Sequence, residues 1–147
     1  MSTRIDVIKE HLLLDTAIVN LITARVYNQD APTQVTNPIT GVSKKTPFPY
    51  IVIKQIGSQS SDFGNSDIRR YIYAIECLNK IGLVEAETLA KHVKNALNNS
   101  KAYNDTHAET IMMYGKIKSE TNYSQEEGGD KIYQCDVNVE ITFKETI

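Results

Sequence analysis

Tyr133-Gln134-Cys135-Asp136-Val137-Asn138-Val139-Glu140-Ile141-Thr142-Phe143 alternates apolar and polar residues without a break. Successive strand side chains point to opposite faces. The stretch therefore predicts a strand with Tyr133, Cys135, Val137, Val139, Ile141 and Phe143 on a core face. Gln134, Asp136, Asn138, Glu140, Thr142 and Lys144 form its wet face. One wet face suits an antiparallel sheet. A slip of one residue would put the whole apolar set in water, so the register is firmly set. No residue in the strand looks catalytic, a first sign that the chain builds a surface.

Just upstream, Thr110–Tyr123 reads as a partner strand, with Ile111, Met113, Gly115 and Ile117 on one parity. Glu126-Glu127-Gly128-Gly129-Asp130 is a turn signal that closes the two strands into a long hairpin with a projecting tip. Leu83–Leu97 is the clearest helix, with Leu83, Ala86, Leu89, Ala90, Val93 and Leu97 in one stripe. Glu85 and Glu87 near its start, and Lys91, His92 and Lys94 toward its end, complement the helix dipole. Arg69–Asn79 predicts a strand with Tyr71, Tyr73, Ile75 and Cys77 inward and a mixed second parity.

Tyr50–Ile56 is apolar on both parities, which predicts cover on both faces: a helix on one, a neighbouring subunit on the other. At the N-terminus Ile5, Ile8 and Leu12 share a helical face behind a Thr3/Asp6 capping pattern. Asp15 or Thr16 caps a second short helix carrying Ile18, Leu21 and Ile22. A brief strand, Ala24–Asn28, follows. Residues 29–48 and Gly57–Asp67 have no period and read as polar loops. The first, at about 20 residues, has a length that is often functional or disordered. The order predicts an α+β fold: a mostly antiparallel sheet of about four to five strands, with N-terminal helices and one long helix packed on one face. The 147 residues suit one domain, 1–147.

The composition is ordinary for a soluble globule, at 41% apolar and 23% charged. A net charge of −2 provides no global basic field for nucleic acid or anionic lipid. Lys44–Lys45 and Arg69–Arg70 are only short basic pairs. No apolar run approaches the roughly 18 residues of a membrane span, and the N-terminus lacks a signal pattern, so synthesis in a cytoplasm is expected. Cys77 and Cys135 sit inside strand patterns, with no C-x-x-C and no Cys/His cluster, so no metal site is expected. There is no phosphate-binding glycine loop and no nucleophile elbow. His11, His92 and His107 read as surface or linker residues. Glu76, Asp136 and Glu140 lie on strands, where a carboxylate pair is capable of acid–base work, but the wet parity of an amphipathic strand accounts for Asp136 and Glu140. Eight tyrosines are too few grounds for a base-stacking surface, because Tyr71, Tyr73 and Tyr133 fall on core parity and no basic groove accompanies them.

One resemblance goes further. Leu21-Ile22-Thr23-Ala24-Arg25-Val26-Tyr27, then Ala31-Pro32, then Pro47-Phe48-Pro49-Tyr50-Ile51-Val52-Ile53 resembles the tail completion, or tail terminator, proteins of long-tailed bacteriophages. In that family a helix ends in a short R-V-Y strand, an A-P follows, and a P-Y-I-V strand comes next. The later Tyr-rich strand, helix and closing hairpin are also similar. Family members pass from A-P to P-Y in few residues, whereas Thr33–Thr46 intervene here as a candidate contact arm.

The resemblance implies a homo-oligomeric ring, commonly a hexamer. The ring caps the tail tube and presents a surface to the head-side connector protein. Genomic DNA passes through its lumen without specific binding. It also implies a place in the virion at the head–tail junction, no catalysis, no cofactor and no membrane. Candidate subunit or partner contacts are Thr33, Val35, Ile39, Val42, Lys44 and Lys45 in the arm; Tyr50, Val52 and Ile56; Phe63, Asn65, Arg69 and Arg70; and Glu126, Glu127 and Lys131 at the hairpin tip. Asp136, Asn138, Glu140 and Thr142 form a candidate lumen or interface face. Another head–tail adaptor or tube-related protein, or a small ligand-binding or enzymatic α+β domain, remains the alternative.

Overall fold

The computed structural model describes residues 4–28, 34–36, 39–41, 43–45, 47–59, 68–98, 103–104, 110–127 and 129–145. Helices α1 (Arg4–Leu13) and α2 (Thr16–Ile22) open the chain, followed by β1 (Val26–Asn28), β2 (Gln34–Thr36) and β3 (Ser43–Lys45). Strands β4 (Tyr50–Gln59) and β5 (Ile68–Asn79), helix α3 (Leu83–Leu97), and strands β6 (Tyr103–Asn104), β7 (Thr110–Glu127) and β8 (Asp130–Glu145) complete it. The main sheet has six strands in the order β1-β4-β5-β8-β7-β6. All pairings in it are antiparallel except β1 with β4. The α+β class matches the sequence reading, and the two-residue β6 adds a strand that no pattern announced.

The opening stretch became β8, at the centre of the sheet between β5 and β7. Its core parity is closed to solvent from Cys135 through Phe143. It faces Tyr71, Tyr73, Ile75 and Cys77 of β5, all buried. Over this face lie Ile5, Val7, Ile8 and Leu12 of α1, Ile18 and Ile22 of α2, and Ala86, Leu89, Ala90, Val93 and Leu97 of α3. Fully burying a side chain the size of Leu89 or Ile8 contributes roughly 1.5–3 kcal/mol, so this single layer contact dominates the fold. Tyr73 and Phe143 meet edge-on at 6.3 Å inside it, an arrangement that adds to their area burial.

Asp15 caps α2: its Oδ1 accepts from the Ala17 N–H at 2.9 Å and the Ile18 N–H at 3.4 Å. His11, expected at the surface, donates from Nε2 to the Ala96 carbonyl at 2.9 Å and ties α1 to the end of α3. Two apolar positions of the helical stripes turn outward. Leu21 is 40% exposed and Leu83 36% exposed. Leu21 lies next to the end of α2 and Leu83 opens α3.

Two loop expectations need correction. Residues 29–48 are not without structure, because β2 and β3 pair antiparallel as a separate two-stranded ribbon. Strand β4 runs past Ile56 to Gln59, taking in part of the expected Gly57 loop, with a bulge between Gln55 and Gly57. The second face of β4 is also covered differently from expectation. Val52, Leu78 and Ile132 form a small cluster beneath Tyr27, Phe48 and Tyr50 of the same chain. No neighbour is needed there.

Candidate functional site

Helices occupy one face of the sheet and leave the other open. On that open face the even-numbered residues of β8 stand beside those of β5 and the outward residues of β7. Here the wet parity of β8 departs from its reading: Asp136, Asn138, Glu140 and Thr142 are half-buried and Gln134 is buried. Neighbouring side chains cover them. Lys54 Nζ lies 3.3 Å from Glu76 Oε2, and Lys118 Nζ 3.6 Å from Glu140 Oε2. Tyr123 donates from its hydroxyl to Asp136 Oδ2 at 3.2 Å, and Gln134 donates from Nε2 to Asp136 Oδ1 at 2.7 Å. Gln125 donates to Gln134 at 3.4 Å, and Asn138 to Ser119 Oγ at 2.9 Å. Burial, with Asp136 beside it, pushes the Tyr123 hydroxyl up to about 12. Each carboxylate singled out for acid–base work is thus engaged with a neighbour in a flat polar layer.

The order of side chains on β7 rests on two bulges, between Met112 and Tyr114 and between Ile117 and Ser119. The second reverses the parity. Beyond it Glu120 and Asn122 point to the helix side, which simple alternation from Ile111 had not predicted. Glu120 receives Lys94 Nζ at 2.6 Å and the Cys135 thiol at 3.0 Å. These two contacts, the thiol first, hold its carboxyl below its ordinary range. Asn122 donates to Glu87 Oε1 at 2.8 Å. Together with Val84, Thr88 and Lys91 these residues line an open groove of about 480 Å³ between α3 and β7. The only signal for it in the sequence was the loss of apolar residues after Ile117 on both parities.

Cys77 and Cys135 are register partners across β5 and β8, both free and buried. Burial pushes both thiols well above their usual value. Among the described residues no group of three or more His, Cys, Asp or Glu is placed to hold a metal ion. None of the described helices is long and apolar enough to cross a membrane.

The expected contact residues are scattered. Val35 lies on β2, Lys44 and Lys45 on β3, and Ile39 at the ribbon's turn, 92% exposed. Tyr50 is half-buried and Val52 is buried by its own chain, which leaves Val52 no contact to offer. Ile56 is 56% exposed at the β4 bulge. Arg69 is exposed and Arg70 half-buried on β5, while Glu126 and Lys131 are exposed, and Glu127 closes β7, at the hairpin tip. Thr33, Val42, Phe63 and Asn65 lie outside the described residues, as do His107 and Thr3.

No curated protein matches the chain. Among solved structures, a chain from the virion of a native gene transfer agent particle superposes with a TM-score of 0.60 at 14% identity, covering 93% of this chain and 91% of that one. A second superposes with a TM-score of 0.52 at 12% identity, covering 99% and 98%. At these identities the likeness is one of fold. The model of the family described as tail completion protein gp17 matches residues 6–141, so the chain belongs to that family and is a structural protein of a phage tail.

Proposed function

We infer that this protein forms a ring, a hexamer by family resemblance, that closes the completed tail tube and offers its other side to the head connector. The family match over residues 6–141 carries the reading. The geometry is consistent with it. The open sheet face is a polar layer whose carboxylates are engaged by Lys54, Lys118 and Tyr123. Such a layer suits a lumen through which DNA slides, since Lys54 and Lys118 are already paired with carboxylates rather than left to trap phosphates. The reading assigns the chain no catalysis and no cofactor.

The test is a phage lacking this protein. Negative-stain images are expected to show filled heads and separate tails, and added protein is expected to restore joined particles, with density at the head-proximal end of the tube. Joined particles in its absence, or density within the connector or along the tube, would overturn the assignment. Scattering from the assembled form is expected to give the mass of six 16.5 kDa chains.

A further inference from the structure

The two edges of the main sheet are unlike. At one edge β1 has only three residues, and the chain leaves it directly for the β2–β3 ribbon. At the other edge β6 covers only Ile111 and Met112 of β7. From Gly115 to Glu127 no strand among the described residues pairs with the outer side of β7, while β8 holds its inner side. Asn98 Oδ1 accepts from the Ile117 N–H at 3.5 Å at the start of this run. Lys118 through Glu126 are exposed without interruption. A long unpaired edge is a ready template for another strand. The ribbon has the converse problem: two strands of three residues are marginal alone and need a third strand or a surface.

The geometry points to a seam between copies, in which the β2–β3 ribbon of one chain adds to the free edge of β7 in the next and lies along the α3–β7 groove. Three further observations select a second copy of this chain as the occupant. In the chain the ribbon is tethered between β1 and β4, at one end of the strand order, and the free edge belongs to β7 toward the other, so the contact is head-to-tail, the kind that closes into rings. Residues 34–45 contain Lys44 and Lys45 and no acid, whereas the free edge carries Lys116 and Lys118 near its start and Glu126 and Glu127 at its tip. Glu120 is already bound to Lys94, leaving Glu126 and Glu127 for the ribbon. Finally, Ile39 at the ribbon's turn and Val84 at the groove rim are apolar side chains 92% and 71% exposed.

The seam deepens the ring reading and rests on it. The experiment is performed on full-length chains assembled on capless tails. Lys44→Cys and Ser124→Cys are introduced together and treated with a short bismaleimide; native Cys77 and Cys135 are buried and provide a silent background. A ladder of cross-linked copies ending at the closed ring is expected. In parallel, the double variant Lys44→Glu/Lys45→Glu is expected to weaken ring formation roughly tenfold through like-charge juxtaposition. Adding Glu126→Lys/Glu127→Lys to the same chain is expected to restore it. Rings that form in full yield without cross-linking, and without response to either reversal, would overturn the seam while leaving the ring intact. Absence of rings even from the unaltered chain would overturn the ring reading and the seam with it.

Discussion

Val139 shows how much one residue of β8 carries. It is closed to solvent beneath the helices, between Tyr73 on β5 and Ile117 on β7. Val139→Asp would place an unpaired charge there, and a loss above about 4 kcal/mol is expected, read as loss of the thermal transition. Val139→Ala keeps the site apolar and is expected to cost about 2 kcal/mol in urea melts. Asp15→Ala removes the α2 cap and is expected to cost about 1 kcal/mol by the same measurement. Glu120 provides a pH signature. Its carboxyl is held low in the folded chain by the Cys135 thiol and Lys94. Its contribution is therefore full above the unfolded carboxylate value of about 4.3 and is lost as pH falls through the lower folded value. Glu120→Gln is expected to lower Tm modestly at pH 7, and the gap to the unaltered protein is expected to narrow as pH falls below the ordinary carboxylate range. A gap of constant size would place the effect in packing rather than charge.

At the scale of elements, alternation proved reliable where a strand is paired on both sides and unreliable where it is not. Strands β5 and β8 kept the predicted parity from end to end because helices press on their inward side chains. Strand β7, at the edge, took two bulges, and the second moved Glu120 and Asn122 to the helix side. A bulge places one extra residue opposite a partner strand, and no local composition marks that position. The ribbon was missed for a related reason: strands of three residues are too short to show a period. Since β2 and β3 stand apart from the main sheet, deleting residues 33–46 is expected to leave circular dichroism and Tm within a few degrees of the unaltered chain and to abolish assembly on tails. Loss of folded protein would instead make the segment part of the core.

At the scale of the whole molecule, the helices close one side of the sheet and leave a polar layer, a groove and a long strand edge on the others. On the open face Glu76, Asp136 and Glu140 are each engaged by a neighbouring side chain. A surface of this kind predicts sensitivity to charge rather than to single side-chain chemistry. On the proposed lumen reading, Glu76→Gln with Glu140→Gln, which removes the carboxylate charges beside Lys54 and Lys118, is expected to slow DNA ejection from joined particles in low salt, with recovery in high salt, as measured by dye release.

The sequence by itself determined which faces of β5 and β8 turn inward, the extent of α3, the α2 cap and the α+β class, because hydrophobic periodicity and capping act locally. It also carried the R-V-Y, A-P and P-Y-I-V run, and with it the family. Only the tertiary structure decided that β1 pairs parallel with β4, that the second face of β4 is covered by Tyr27, Phe48 and Tyr50, and that among the described residues only β6 pairs with the outer side of β7. Those outcomes depend on which segments, distant along the chain, meet across the sheet. No period within a single segment encodes that. Tyr133–Phe143 therefore specifies its own two faces, and its inward face holds α3 as its pattern predicts, while its place beside a bulged edge strand had to be read from the fold.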